Sequence, residues 1–344
     1  MPARTSMADD GLRSHREQVL AALRQAKKLV AVTHENPDGD ALGSLVAMTH
    51  VLRALGKDCQ AFIDRRELPL PREYDFLNTV GLLTEPPEDL GDRTVVFLDC
   101  GNLERNPAKA FHHPNMHTVN IDHHHDNKMF GTVNLVDPDA SCTAEIVWDL
   151  MGPLGVTPTL AIAEALYVAL ITDTGRFMYE NTTARAHVMA ADLIEAGVEP
   201  HTIYRRVYED VPYGKLALLA RGLSKVKRYD SGRLTVTELS AEDFAEAEAQ
   251  ESFSEGVIDH LRAVDGTAVA ALIRDRVGAG RNGERKVSLR SGDERIDVSR
   301  IARIKGGGGH PQAAGFATTM GWNELVDFLV GEIDAQLASA TSSS

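Results

Sequence analysis

Cysteine is scarce in this chain, with three among 344 residues, at positions 59, 100 and 142 and in no paired spacing. That argues against a disulfide framework and suits a reducing cytoplasm, the compartment expected. Long apolar runs are missing as well. None approaches the ~18 to 20 residues that a membrane span requires, and residues 1–11 lack the apolar core of a signal peptide. No membrane partner is therefore expected. Positive charge is in deficit, since 36 Lys and Arg stand against 50 Asp and Glu for a formal charge of −14. Non-specific affinity for long nucleic acid comes mainly from many basic contacts to phosphate, so no long nucleic acid is expected as a partner.

What is present is the make-up of a soluble globular protein, 43% hydrophobic and 25% charged, long enough for two domains of ordinary size. The charge is not spread evenly. Residues 274–305 hold ten Lys or Arg against five Asp or Glu. They read either as solvated faces of a β-hairpin or as a compact basic module for a small anionic substrate.

The chain is organised around His34-Glu35-Asn36-Pro37-Asp38-Gly39-Asp40. The apolar, β-branched run at 29–32 predicts a strand buried on both faces, and Pro37 and Gly39 bar a regular element from crossing the gap. Leu42, Leu45, Met48, Leu52 and Leu55 then recur at helical intervals until Gly56. The polar heptad thus sits at the C-terminal end of a strand, the edge where open α/β sheets collect ligands. Taken alone it is equally an ordinary polar loop, because Asp, Asn, Gly and Pro are turn residues.

Further strands are expected at 59–63, 94–98 and 118–121, the last two ending on Asp99 and on Asp122-His123-His124-His125. Helical patterns between strands predict parallel β-α-β units. A helix at 158–172 delivers Asp173, where a carboxylate opposes the helix dipole unless a cation balances it. From 226 the pattern changes to strands at 226–229, 234–239, 267–277 and 286–290. Helices intervene at 241–249 and 254–264, then a tetraglycine run at 306–309 and a last helix at 322–337. The expected fold is α/β: an N-terminal parallel, Rossmann-like sheet plus a smaller C-terminal α/β domain, with a cleft between them. The expected divisions are a disordered start at 1–13, a metal-binding domain at 14–198, a helical connector at 199–225, a substrate-binding domain at 226–338 and a disordered tail at 339–344.

The candidate ligands are His34, Asp38, Asp40, Asp99, His123 and Asp173, on four segments that end at the presumed sheet edge. Six exceed the roughly three protein ligands of a catalytic zinc. They suit two ions sharing a bridging carboxylate, and oxygen with imidazole and no thiolate favours manganese ahead of magnesium or iron. Two ions about 3.5 to 4 Å apart are the equipment of in-line phosphoryl hydrolysis. Spacing excludes two other sites. An EF-hand loop counted from Asp38 puts Leu42 where an oxygen ligand is required, and His34-Glu35 is not followed by the second histidine of a zinc-protease helix.

Together, His34-x-Asn36-Pro37-Asp38-Gly39-Asp40, Asp99, Asp122-His123-His124 and Asp173 resemble the four motifs of the DHH phosphoesterase family, in order. Ser288-Leu289-Arg290-Ser291, followed by the run from Gly306 through His310 to Gly315, resembles the DHH-associated domain of one branch. That branch degrades nanoRNA and dephosphorylates 3′-phosphoadenosine 5′-phosphate. The resemblance covers nearly the whole chain. It implies two manganese ions per chain, one held by His34, Asp38 and Asp99, the other by Asp40, Asp99, His123 and Asp173, with Asp99 bridging. It also implies that Asp122 orients the imidazoles and that His124 faces the scissile phosphate as donor or acid. His125 is given no role, and His112, His113 and His117 read as loop histidines.

The glycine run is no Walker loop, because no Lys-Ser or Lys-Thr closes it. It reads as a flexible linker or as backbone N–H groups gathered around an anion. The His310 and Ala-Ala-Gly that follow are not linker composition. The expected clamp for a substrate's terminal phosphate is therefore Arg290, Ser291, Gly307, Gly308, Gly309 and His310, with Arg105 as a further contact from the N-terminal domain. Arg290 suits bidentate phosphate recognition. The function expected is manganese-dependent hydrolysis of short RNA oligonucleotides to nucleoside 5′-monophosphates by a monomer or homodimer. The resemblance adds 3′-phosphoadenosine 5′-phosphate and cyclic di-AMP as substrates. Three rivals stand beside it. A manganese pyrophosphatase should lack the C-terminal glycine motif, a processive single-strand exonuclease needs a longer chain, and a non-catalytic nucleotide sensor has no need of six intact ligands.

Overall fold

The structure, a computed structural model, describes residues 6–77, 81–209, 211–276 and 283–341. The chain divides into two compact units, Met1–Asp210 and Val211–Ser344. The first unit runs α1 (Ser6–Gln25), β1 (Lys28–Val32), α2 (Gly39–Ala54), β2 (Asp58–Ala61), β3 (Thr94–Leu98), β4 (Thr118–Asp122) and β5 (Val133–Val136). It continues with α3 (Thr143–Leu154), α4 (Leu160–Asp173), α5 (Ala184–Glu195) and α6 (Pro200–Tyr204), which leads into a π-helical turn at Arg205–Glu209.

The five strands form a parallel sheet in the order β2-β1-β3-β4-β5. Leu29 and Ala31, Val96 and Leu98, and Val119 and Ile121 point into the large core shared with the helices. Val30, Val32, Val95 and Phe97 point the other way, into a smaller cluster with Phe62 and Phe111. Burial on both faces is why these runs show no polar alternation. The strand order reverses between β1 and β3, and the C-terminal ends of those strands flank the crevice where such sheets bind ligands.

Two glycines set the approach of α2 to α4. A Cβ on Gly39 would stand 2.3 Å from Thr172 Oγ1, and one on Gly43 only 2.4 Å from the Ala165 carbonyl oxygen. The start of α2, carrying Asp40, therefore lies hard against the end of α4, carrying Asp173.

The second unit runs α7 (Tyr213–Ser224), β6 (Lys227–Tyr229), β7 (Leu234–Leu239), α8 (Ala241–Glu246), α9 (Val257–Arg262), β8 (Val269–Asp275) and β9 (Arg285–Ser291). α10 (Val298–Ile304), β10 (Gly308–His310), β11 (Ala313–Thr318) and α11 (Trp322–Thr341) complete it. Its sheet has the order β10-β11-β9-β8-β7-β6, with β7 and β8 parallel and the other pairs antiparallel. α10 and α11 cover one face, and α7 to α9 pack on the other over β7 and β8.

Several elements differ from the sequence expectation. Helix α1 begins at Ser6, inside the stretch expected to be disordered, and Leu12 packs against the first core. α11 extends to Thr341, into the expected disordered tail, with Leu337 against the second core. β5 and α10 were not expected. The strand predicted over 267–277 ends at Asp275, and Val277 lies outside the described residues. Among the described residues no helix is long and apolar enough to cross a membrane, and all three cysteines are buried and free.

Candidate metal centre

His34 leaves the end of β1 and is buried. Its Nδ1 donates to the Glu35 carbonyl oxygen at 2.7 Å, which turns Nε2 toward Asp99 Oδ2, 3.3 Å away. Asp38 caps α2, with Oδ1 accepting from the Ala41 N–H at 3.0 Å and lying 4.0 Å from His34 Nε2. Asp99 leaves β3 with φ 61°, a left-handed conformation that costs a non-glycine residue energy and recurs at functional sites. Its Oδ1 lies 3.6 Å from His123 Nε2 and 3.5 Å from His124 Nδ1. His123 Nε2 is also 3.9 Å from both Asp40 Oδ2 and Asp173 Oδ2. The six expected ligands thus meet as two sets, His34 with Asp38 and Asp99, and Asp40 with His123 and Asp173. The ligand atoms of each set lie within 4.8 Å of one another.

The titration of these groups follows from their crowding. Burial, then the charges of Asp99 and Asp173, push Asp40 well above the usual carboxylate range. Burial also drives Asp173 up to about 7, against the pull of His123. Asp99 goes the other way: burial opposes its charge, but the hydrogen bond from His34 and the nearby imidazoles outweigh burial and hold it low. His123 resists burial through the charges of Asp40, Asp173 and Asp99 and rises to about 9. Buried like charges at this spacing call for cationic partners, and a donor set of oxygen and imidazole fits hard divalent ions.

A layer of hydrogen-bonding groups behind the candidate ligands holds them in place. Buried Asp122, the last residue of β4, accepts from the His123 N–H at 2.9 Å and faces His124 Nδ1 at 2.7 Å with the same oxygen. Its other oxygen accepts from Asn127 Nδ2 at 2.5 Å, and Asn127 also donates to the Cys100 carbonyl at 3.0 Å. Asn181 Nδ2 donates to Asp173 Oδ2 at 3.1 Å and to the Ser141 carbonyl at 2.8 Å. Asp40 accepts from Ser44 Oγ at 3.0 Å and from the backbone N–H groups of Thr143 and Ala144 at 2.7 and 3.0 Å. The Thr143 hydroxyl donates to Asp99 Oδ1 at 2.9 Å. Sequence reasoning missed Ser44, Asn127, Thr143 and Asn181. The one signal available was Ser141-Cys142-Thr143 opening an apolar run, which marks a helix start and nothing more.

The remaining expected residues divide. Arg105 lies in the 3-10 turn after β3; its carbonyl accepts from the Glu35 N–H at 2.8 Å and its charge opposes that of the His34 ring. His125 is exposed. In the second unit Arg290 sits in β9, in register with Ala270 and Ala313, and its Nη1 donates to the Leu289 carbonyl at 3.1 Å. Ser291 does not stand with it as a ligand contact. It is buried, and its hydroxyl closes the following turn by donating to the Asp293 carbonyl at 2.8 Å. The glycine run is neither linker nor open loop, since Gly308 and Gly309 enter the edge strand β10. A Cβ on Gly307 would stand 2.2 Å from the Gly315 carbonyl oxygen, and one on Gly309 2.4 Å from that of Ala313. Those two glycines let β10 close on β11, while Gly308 is exposed with open space around it. His310 ends β10, and its side chain lies outside the described part of the structure.

The chain resembles known proteins along most of its length. Residues 28–170 match the DHH family, N-terminal domain, and residues 234–339 match the DHHA1 domain. The chain is 34% identical over 287 residues to the bifunctional oligoribonuclease and PAP phosphatase NrnA of Thermus thermophilus, a match covering 82% of each chain. The crystal structure of an exopolyphosphatase-related protein from Bacteroides fragilis has a TM-score of 0.85 at 23% identity, over 94% of this chain and 96% of that one. RecJ from Thermus thermophilus, solved in complex with Mn2+, has a TM-score of 0.53 at 18% identity, over 95% of this chain and 55% of that one. The likeness to these two structures is one of fold. With both domain matches in chain order and a relative this similar along most of its length, the chain belongs to the DHH family of phosphoesterases, with a DHHA1 domain in its second unit.

Proposed function

We propose that this protein is a manganese-dependent phosphodiesterase that cuts short oligoribonucleotides to nucleoside 5′-monophosphates and also dephosphorylates 3′-phosphoadenosine 5′-phosphate. Cyclic di-AMP is a further substrate of the same site, and the cytoplasm is where the protein acts. The observation that carries the reading is the placement of Asp99, with one carboxylate oxygen toward His34 and the other toward His123. The name of the Thermus thermophilus relative joins the same two activities, and that chain aligns over most of its length.

In this reading His34, Asp38 and Asp99 hold one ion, and Asp40, Asp99, His123 and Asp173 the other. When bound, the ions supply Lewis-acid polarisation of the phosphoryl group and activation of water. The chain does the rest. His34 is fixed by its Nδ1 hydrogen bond, so its coordinating edge needs no reorganisation. His124, anchored by Asp122, has its pKa raised: burial opposes the charge, but the hydrogen bond to Asp122 and the charge of Asp99 prevail. A protonated ring there donates to the phosphoryl oxygens as negative charge builds on them. Arg290 takes a second phosphate of the substrate.

The reading is tested with one substrate panel in manganese: RNA of two to ten nucleotides, 3′-phosphoadenosine 5′-phosphate, cyclic di-AMP and pyrophosphate. RNA of two to four nucleotides should be turned over fastest, with release of nucleoside 5′-monophosphate and little action on the decamer or on pyrophosphate. Pyrophosphate as the best substrate, or no hydrolysis of any member, contradicts it.

A further inference from the structure

The first turn of α3 meets the metal centre at two of its carboxylates, and Thr143 touches both. Its backbone N–H reaches Asp40 Oδ2 at 2.7 Å, and its hydroxyl reaches Asp99 Oδ1 at 2.9 Å. Asp40 comes from the start of α2 and Asp99 from the end of β3, so a residue more than forty positions beyond either carboxylate ties the two together. All three side chains are buried. The neighbouring Ala144 N–H holds the other oxygen of Asp40 at 3.0 Å, which leaves that carboxylate gripped at both oxygens by one helix end. The next residue upstream, Cys142, makes no side-chain cap, and its thiol is pushed up by burial, then by the charges of Asp40 and Asp173. The free N–H groups at the start of α3 therefore go to the metal-site carboxylates and not to a local cap.

We propose that Thr143 is a positioning residue of the metal centre, whose hydroxyl fixes the angle of the Asp99 carboxylate while the backbone at 143 and 144 fixes that of Asp40. This rests on the two-ion reading above. A carboxylate that serves two ions must present each oxygen in a set direction, and a free rotor would bind either ion more weakly. The hydroxyl occupies one acceptor position of Oδ1 and leaves the other for an ion. Threonine suits the position because its β-branch has few rotamers inside a helix.

The test compares Thr143→Val with Thr143→Ser. Valine keeps the shape and the backbone N–H groups and removes only the hydroxyl; serine restores the hydroxyl. Free Mn2+ is followed by electron paramagnetic resonance as it is titrated into each purified full-length protein, and the melting temperature of the metal-free form is recorded alongside. Thr143→Val should bind Mn2+ about 10- to 100-fold more weakly, Thr143→Ser should return to within a few-fold of wild type, and all three metal-free proteins should unfold cooperatively, Thr143→Val at a somewhat lower temperature because a buried carboxylate loses one donor. Unchanged affinity in Thr143→Val overturns the proposal, as does a Thr143→Ser protein as weak as the valine variant. If the wild-type protein itself binds no Mn2+, the two-ion reading falls and the proposal with it. Tight binding by wild type and by Thr143→Val together removes the proposal alone.

Discussion

At Asp99 two carboxylate oxygens face two different sets of candidate ligands, so removing this side chain takes a member from both sets at once. Asp99→Ala should abolish manganese-dependent hydrolysis of an RNA dinucleotide while circular dichroism still reports a folded chain; turnover at the wild-type rate would sink the shared-ligand assignment. Asn127 acts one step further back, through Asp122, which in turn holds His124. Asn127→Ala should lower activity about 10- to 100-fold, the range typical of lost support behind a metal site, and a rate within twofold of wild type would show that Asp122 needs no such partner. That the six candidate ligands converge was legible in the sequence because each ends, or closely follows, an apolar run, and such ends gather at one sheet edge. Thr143, Asn127 and Asn181 were not, because what makes them matter is the atom across from them, and that atom belongs to another segment. Ser291 misled for the same reason: it neighbours Arg290 in sequence, yet alternation along β9 sends it to the opposite face, where it is buried.

The elements show a similar division. Strands β1, β3 and β4 announce themselves as unbroken apolar runs, since both their faces are covered. β5 is a four-residue edge strand in which only Leu135 is buried, and it carries neither an apolar run nor an alternation to read. α10 hid inside the basic segment, where its apolar face is Val298, Ile301 and Ala302 alone. The contact of α2 with α4 depends on Gly39, whose Cβ would strike Thr172 Oγ1 at 2.3 Å. Gly39→Ala should cost about 1–3 kcal/mol of stability, as overpacked interiors do, seen as a lower urea midpoint; an unchanged midpoint would mean that the two helices have room to part. On β9, Arg290 is the residue proposed to take a phosphate. A lost hydrogen bond to a charged group costs about 1.5–3 kcal/mol, so Arg290→Ala should raise KM for a dinucleotide roughly 10- to 100-fold with metal content unchanged. An unaltered KM would remove Arg290 from recognition.

For the whole molecule, a net charge of −14 repels any polyanion, while residues 274–305 carry a local excess of Lys and Arg. A short substrate meets the local field, and a long one also meets the acidic remainder. If the basic segment draws the substrate in, kcat/KM for a dinucleotide should fall as ionic strength rises to about 0.15 M, where the screening length has shrunk to about 8 Å. A flat profile would count against that role. The whole account depends on a pair of cations among these carboxylates and imidazoles. The most direct measurement is anomalous diffraction at the manganese edge from crystals grown with Mn2+. The account predicts two peaks about 3.5 to 4 Å apart, with Asp99 between them, one beside His34 and the other beside His123. No peak at Asp99, or a single peak that leaves either His34 or His123 without an ion, would contradict it.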